Sequence, residues 1–208
     1  MNRLSKIIGG VFVLFGLSWW GLAVYPYLAF ASLKANVDPN TKEVAPPDVP
    51  GAAQQGYRVY AANGCVSCHT QFVRDKREGS DIDREWGKRR TVARDYMKDD
   101  QVFLGVSRFG PDLTNVGVRQ KDAQWFYRYL YDPRLFNPDT TMPSYRWLFQ
   151  EQAITGQPAQ NALKLEGADA PRPGHEIVPT AEAEALVAYL LSLKRDYALP
   201  EAPPAPQE

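Results

Sequence analysis

The hydrophobic pattern divides the chain at once. Residues Ile7 to Leu33 carry no charged side chain over 27 positions. As a helix that run is roughly 40 Å long at about 1.5 Å per residue, more than a bilayer core of about 30 Å requires. Pro26 is expected to end or kink it near one interface, where Tyr25 and Tyr27 suit an aromatic belt. A cleaved signal peptide is the competing reading, with Ala29-Phe30-Ala31 as its cleavage site. The run exceeds the about 7–15 apolar residues usual for such a peptide, so residues 1–33 are read as a retained anchor. Arg3 and Lys6 precede the run and only Lys34 closely follows it, which places the N-terminus in the cytoplasm. Gly9, Gly16 and Ala23 recur every seven residues as a small-residue stripe on which another helix could pack.

After the anchor the pattern breaks into short pieces. Residues 34–50 hold four prolines and read as an extended stalk. A helical pattern runs from Ala52 to Asn63, with Gly64 as its natural stop. Arg74 to Arg90 is a charged stretch with seven basic and five acidic side chains, read either as a solvated loop or as a partner-docking segment. Phe109-Gly110-Pro111-Asp112-Leu113 reads as a tight loop. Asp122 to Tyr131 reads as a short aromatic helix, stopped by Asp132-Pro133. Residues 151–179 are weakly patterned loop. The last helix is the clearest: Thr180 caps it, Glu182 and Glu184 suit its start, Lys194 and Arg195 suit its end. Leu186, Leu190 and Leu193, with Val187 and Tyr189, form its apolar face. The pattern predicts a mainly α fold: one membrane helix, then a helical domain over 51–197 with long loop insertions, then a proline-rich disordered tail, 198–208. No strand is predicted.

Composition narrows the chemistry. The 208 residues balance 24 basic against 24 acidic side chains, so no nucleic-acid partner is expected. The chain has only two cysteines and two histidines, and three of these four fall in Cys65-Val66-Ser67-Cys68-His69. C-x-x-C-H is the attachment pattern of c-type haem: one thiol adds to each vinyl group and the next residue reaches the iron. A thioredoxin-like pair would need a βαβ setting, and a zinc site a second ligand pair; neither is present. One covalently bound haem c is therefore expected, held by Cys65 and Cys68 with His69 on the iron.

The second axial position has four readings: Met142, Met97, His175 or open. Met142 stands in Thr141-Met142-Pro143, where the proline stiffens the loop behind a weak thioether ligand. Met97 has a polar setting and His175 a loop setting. Met142 is the expected ligand, and His/Met ligation fills both axial positions and raises the reduction potential. Such an iron moves electrons, and no active site of its own is expected. Because c-type haem is attached outside the cytoplasmic membrane, the domain is expected in the periplasm.

Gly56 and Tyr60 on the first soluble helix, with Leu186 and Tyr189 on the last, resemble the helix-crossing pairs of class I cytochromes c. That resemblance implies the class I cytochrome c fold over 51–197 and a Pro111 carbonyl that fixes the His69 ring. The match is closer to the mono-haem cytochrome c subunit (subunit II) of cbb-type (C-family) haem–copper oxidases. It is carried by Gly64 to Gln71, Gly110-Pro111-Asp112-Leu113 with Val116-Gly117, Leu130-Tyr131-Asp132-Pro133-Arg134, Met142-Pro143-Ser144-Tyr145 and Trp147-Leu148. Phe72 and Asp75 depart from the pattern, and 151–179 is not one of its landmarks. The resemblance implies a relay in aerobic respiration: electrons arrive from a soluble donor or a di-haem subunit and leave to the large catalytic subunit. Arg108, Arg119, Tyr145 and Trp147 flank the two haem loops and are candidates for the haem propionates. Three other readings compete: the small subunit of a nitric oxide reductase, an independent tethered carrier, and a haem enzyme such as a peroxidase. The first usually has a Gly-Glu-Gly-Ala-Tyr-like run after the haem motif, where this chain has Gln71-Phe72-Val73-Arg74-Asp75.

Overall fold

The computed structural model describes residues 2–205. They form two compact units, one reaching through Pro46 and including Ala93–Lys98, the other made of Pro47–Val92 and Asp99 onward.

The first unit begins with helix α1, Arg3–Phe30, capped by the Asn2 side chain on the Ser5 amide. It is long and apolar enough to cross a membrane, and none of its residues is buried. Pro26 does not end it. The turn before the proline, Trp20–Val24, widens to π geometry, with the Tyr25 amide reaching the Trp20 carbonyl. A proline lacks an amide proton and crowds the carbonyl four residues back, and a locally wider turn lets the helix continue. The stalk is not simply extended either. Asn36–Val37 (β1) pairs antiparallel with Val44–Ala45 (β2), and the turn between them closes on Asp38, whose carboxylate accepts from the Asn40 and Thr41 amides.

In the second unit, α2 (Gly51–Ala62) buries Ala53, Gly56 and Tyr60, one narrow stripe. Gly64, in the left-handed conformation at φ 67°, turns the chain out of it. After the short helix α3 (Val116–Arg119), α4 (Ala123–Tyr131) is capped by Asp122 on the Gln124 amide and buries Phe126, Tyr127, Leu130 and Tyr131. The last helix, α5 (Ala181–Ser192), is capped by Thr180 on the Ala183 amide. All five of its expected apolar side chains are buried, and Ala183 and Ala185 with them, so it is the central element rather than a one-faced helix.

α2 crosses α5 at Gly56. A Cβ there would stand 1.8 Å from the Ala185 carbonyl oxygen and 2.7 Å from the Tyr189 Cβ. The absent side chain lets two backbones touch, and Tyr60, Phe103 and Tyr189 close around the crossing with ring centroids 5.3–5.4 Å apart.

Two expectations fail here. Part of the 151–179 loop is sheet: Phe149–Ala153 (β3) pairs antiparallel with His175–Pro179 (β4), with Glu151 opposite Ile177. Four of the five β3 residues are exposed and most are polar, while β4 is buried almost throughout, so neither shows the apolar–polar alternation that announces a strand. The tail from 198 is not loose where it is described. Leu199 and Ala202 are each only 2% exposed, and the Ala205 amide donates to the Lys88 carbonyl. Residues 206–208 lie outside the described residues.

Replacing Gly56 by Val should destabilise the soluble domain by about 3 kcal/mol, since the added carbons meet backbone rather than a flexible side chain. Urea unfolding followed by circular dichroism measures it, and the exposed Gly51, with open space around its Cβ position, is the control.

Candidate functional site

Cys65 to Ser67 form a single 3₁₀ turn directly after Gly64. The amides of Cys68 and His69 both return to the Cys65 carbonyl, at 3.2 and 3.0 Å. This tight turn sets both thiols and the imidazole on one short arc. Cys65 is half-buried and Cys68 exposed. Burial pushes the Cys65 thiol up to about 11, while a hydrogen bond with Tyr145 works in the opposite direction.

The His69 ring is held from behind. Its Nδ1 lies 2.8 Å from the Pro111 carbonyl oxygen, 42 positions along the chain. That bond makes Nδ1 the protonated nitrogen and Nε2 the one with a lone pair for a metal. Gly110 allows the approach: a Cβ there would lie 2.2 Å from His69 Cε1. Burial lowers the pKa of the imidazole, more than the bond to Pro111 raises it. A neutral, oriented imidazole is the form that ligates iron.

The two segments are laced together. The Gly110 amide donates to the Cys68 carbonyl at 3.0 Å and the Leu113 amide to the Thr70 carbonyl at 2.8 Å. Asp112 is fully buried; its carboxylate accepts from the Thr70 hydroxyl at 2.6 Å, the Phe72 amide at 2.7 Å and the Thr114 amide at 2.8 Å. The sequence reading of the Gly-Pro-Asp-Leu run assigns Asp112 no structural part. A carboxylate flanked by a proline and a leucine in a tight loop was its available signal.

The charged stretch 74–90 is partly interior. Asp81 is fully buried and takes Arg74 Nη2 and the Arg74 amide, both at 2.8 Å, together with Arg108 Nη1. Burial drives its pKa up, but the two guanidinium groups and the amide outweigh it and hold the carboxyl at about 2, below its ordinary 3.8. Arg89 is also buried and donates to the carbonyls of Tyr197, Arg90 and Arg195.

The four propionate candidates all hold protein partners. Arg108 donates to Asp81 and, at 2.5 Å, to the Phe72 carbonyl. Arg119 donates to the carbonyls of Asp112 at 2.5 Å and Trp86 at 3.2 Å. Tyr145 is buried against Cys65, which with burial pushes its hydroxyl up to about 12. Trp147 is 64% exposed and donates its indole N–H to Asn63 at 3.1 Å.

Met142 is half-buried against the main apolar cluster, and three residues on the Tyr145 amide is tied to the Leu130 carbonyl. Met97 belongs to the other compact unit and is 38% exposed. His175 sits at the start of β4, with Nδ1 3.2 Å from the Pro173 carbonyl oxygen.

Comparison with protein families finds a match described as cytochrome C oxidase, mono-heme subunit/FixO, over residues 24–171. The chain belongs to that family. The matched span covers more than two thirds of the 208 residues and includes the Cys65–His69 turn, the Gly110–Leu113 loop and Met142. The resemblance to the mono-haem subunit of cbb-type oxidases is thereby borne out. A comparison with curated proteins returned no match. As a family member the chain is an oxidase subunit with one haem, and its catalytic counterpart is another oxidase subunit. The donor set fits the group: two thiols on one turn, an oriented imidazole, and a glycine cradle that a Cβ would fill.

Gly110→Ala should push the His69 ring off the Pro111 carbonyl and cost about 2 kcal/mol of stability, read by urea unfolding. The depressed pKa of Asp81 gives a second test. Its contribution is complete above about pH 4 and is lost as pH falls through about 2. The stability gap between wild type and Asp81→Asn should therefore narrow by about 2 kcal/mol from pH 5 to pH 2.

Proposed function

We propose that the chain is a membrane-anchored cytochrome c of class I fold that relays electrons to the catalytic subunit of a cbb-type oxidase in aerobic respiration. The observation that carries the reading is the His69–Pro111 bond over the Gly110 cradle, directly behind two cysteines on one turn, in a member of the mono-heme oxidase subunit family. Cys65 and Cys68 would hold haem c through thioether bonds, and His69 Nε2 would offer its lone pair to the iron. Pro111 fixes the imidazole plane and keeps the proton on Nδ1. Met142 would supply the second ligand. When bound, the haem supplies a one-electron iron couple.

The residues then divide the work. The two thioethers would prevent loss of the group, and the bond to Pro111 holds the imidazole in one orientation. Met142 would keep external ligands from the iron. Helix α1 anchors the domain, with the N-terminus in the cytoplasm and the haem domain in the periplasm, so transfer to a membrane partner proceeds in a fixed geometry instead of by diffusional encounter. The counterpart is the large haem–copper subunit; the donor is a di-haem subunit or a soluble carrier.

Full-length protein made with cytochrome c maturation should keep its haem through denaturing electrophoresis, and Cys65→Ala with Cys68→Ala should lose it; haem extracted by acid acetone from the wild type would overturn covalent attachment. Reduced wild-type protein should not bind carbon monoxide, whereas Met142→Ala should. Purified in mild detergent, the chain should bring down a large subunit containing b haem and copper; non-haem iron there would instead point to a nitric oxide reductase.

A further inference from the structure

The charged stretch between the haem motif and the proline loop fastens onto that loop on both of its sides. Arg108 lies two residues before Gly110 and three before Pro111. Its guanidinium donates to buried Asp81 and to the Phe72 carbonyl, and it sits over the Trp86 ring with a 5.6 Å separation from the centroid. Asp81 is fixed in turn by the Arg74 amide and guanidinium. The Trp86 carbonyl accepts from Asn115 at 3.0 Å and from Arg119, whose other nitrogen donates to the Asp112 carbonyl. The loop that supplies the Pro111 carbonyl is thus gripped on its N-terminal side by Arg108 and on its C-terminal side by Arg119, both acting through the 81–86 segment.

We propose that the Asp81–Arg108 pair is a positioning device for the axial histidine: it sets the strength of the His69–Pro111 hydrogen bond and thereby the reduction potential of the haem. The inference rests on the haem reading above. A short Nδ1–H···O bond makes the imidazole more electron-donating and favours ferric iron, so slackening it raises the potential. The Arg108 fork spans two acceptors, the Asp81 carboxylate and the Phe72 carbonyl, and so fixes direction as well as distance. A lysine at 108 keeps the charge and loses the fork, and a glutamate at 81 keeps the charge and moves it.

The test uses the haem-loaded full chain in detergent, with Arg108→Lys, Asp81→Glu and, as control, Arg172→Lys, whose exposed pair with Glu151 lies on the β3–β4 side. Two quantities are read: the haem midpoint potential by spectroelectrochemical titration, and exchange of the His69 Nδ1 proton by NMR in the reduced state. Both charge-conserving variants should speed that exchange at least tenfold and raise the potential by an amount equal to about a threefold to tenfold change in the reduction equilibrium, with the control unchanged. Covalently loaded variants with wild-type potential and exchange would overturn the proposal. If Asp81→Glu does not fold, Arg108→Lys decides alone. Wild-type protein carrying no covalent haem would remove the haem reading and this proposal with it, an outcome distinct from an unchanged potential.

Discussion

One imidazole has to be held still with one nitrogen protonated and the other open, and much of the second unit serves that requirement. His69 leaves a tight turn in which the Cys65 carbonyl takes the amides of both Cys68 and His69, and its ring is turned toward the proline loop. In that direction stand the Pro111 carbonyl and a position with no side chain. Neither alone is enough: the carbonyl orients the ring only if the backbone comes close, and the backbone comes close only where Cβ is missing. Asp112 then secures the pairing by taking three donors from both sides of it. A buried carboxylate with three hydrogen bonds is stable where it is and very costly to uncouple.

The same device recurs at the helix crossing. Gly56 against Ala185 and Gly110 against His69 are both places where one chain segment occupies the volume of another's missing side chain. Gly117 against the Leu191 carbonyl, at 2.3 Å for a Cβ, is a third. Together they bring α2, the proline loop and α3 onto α5 or onto the motif, and apolar packing fills the remaining space. This accounts for a domain rich in loop but with a continuous buried cluster.

What could be read from the sequence follows from the range of the forces involved. Helix boundaries at Gly64, Asp122 and Thr180 came out close to their observed positions because caps and stops act over a few residues. The haem motif was legible because its chemistry demands contiguous residues. The Gly56 crossing and the Pro111 contact were legible only by resemblance, since nothing local in either stretch names its partner. Asp81 was hidden among eleven other charges in its stretch, because burial is decided by what folds over a residue. The β3–β4 pair was hidden because one strand is polar and the other wholly covered. The order in the tail is not legible because composition alone does not tell that Leu199 and Ala202 are buried.

The π turn at Trp20–Val24 changes how the membrane helix is addressed by its surroundings. A wider turn advances less angle per residue, so everything after it is rotated relative to a regular helix by a fraction of a turn. Gly9 and Gly16 stay on one line, but Ala23 falls beside that line. A straight neighbour lying in the groove of the two glycines therefore runs past Ala23 without meeting it. The helix offers two surfaces, a long one before the π turn and a short one after it, and the seven-residue spacing in the sequence conceals the seam between them.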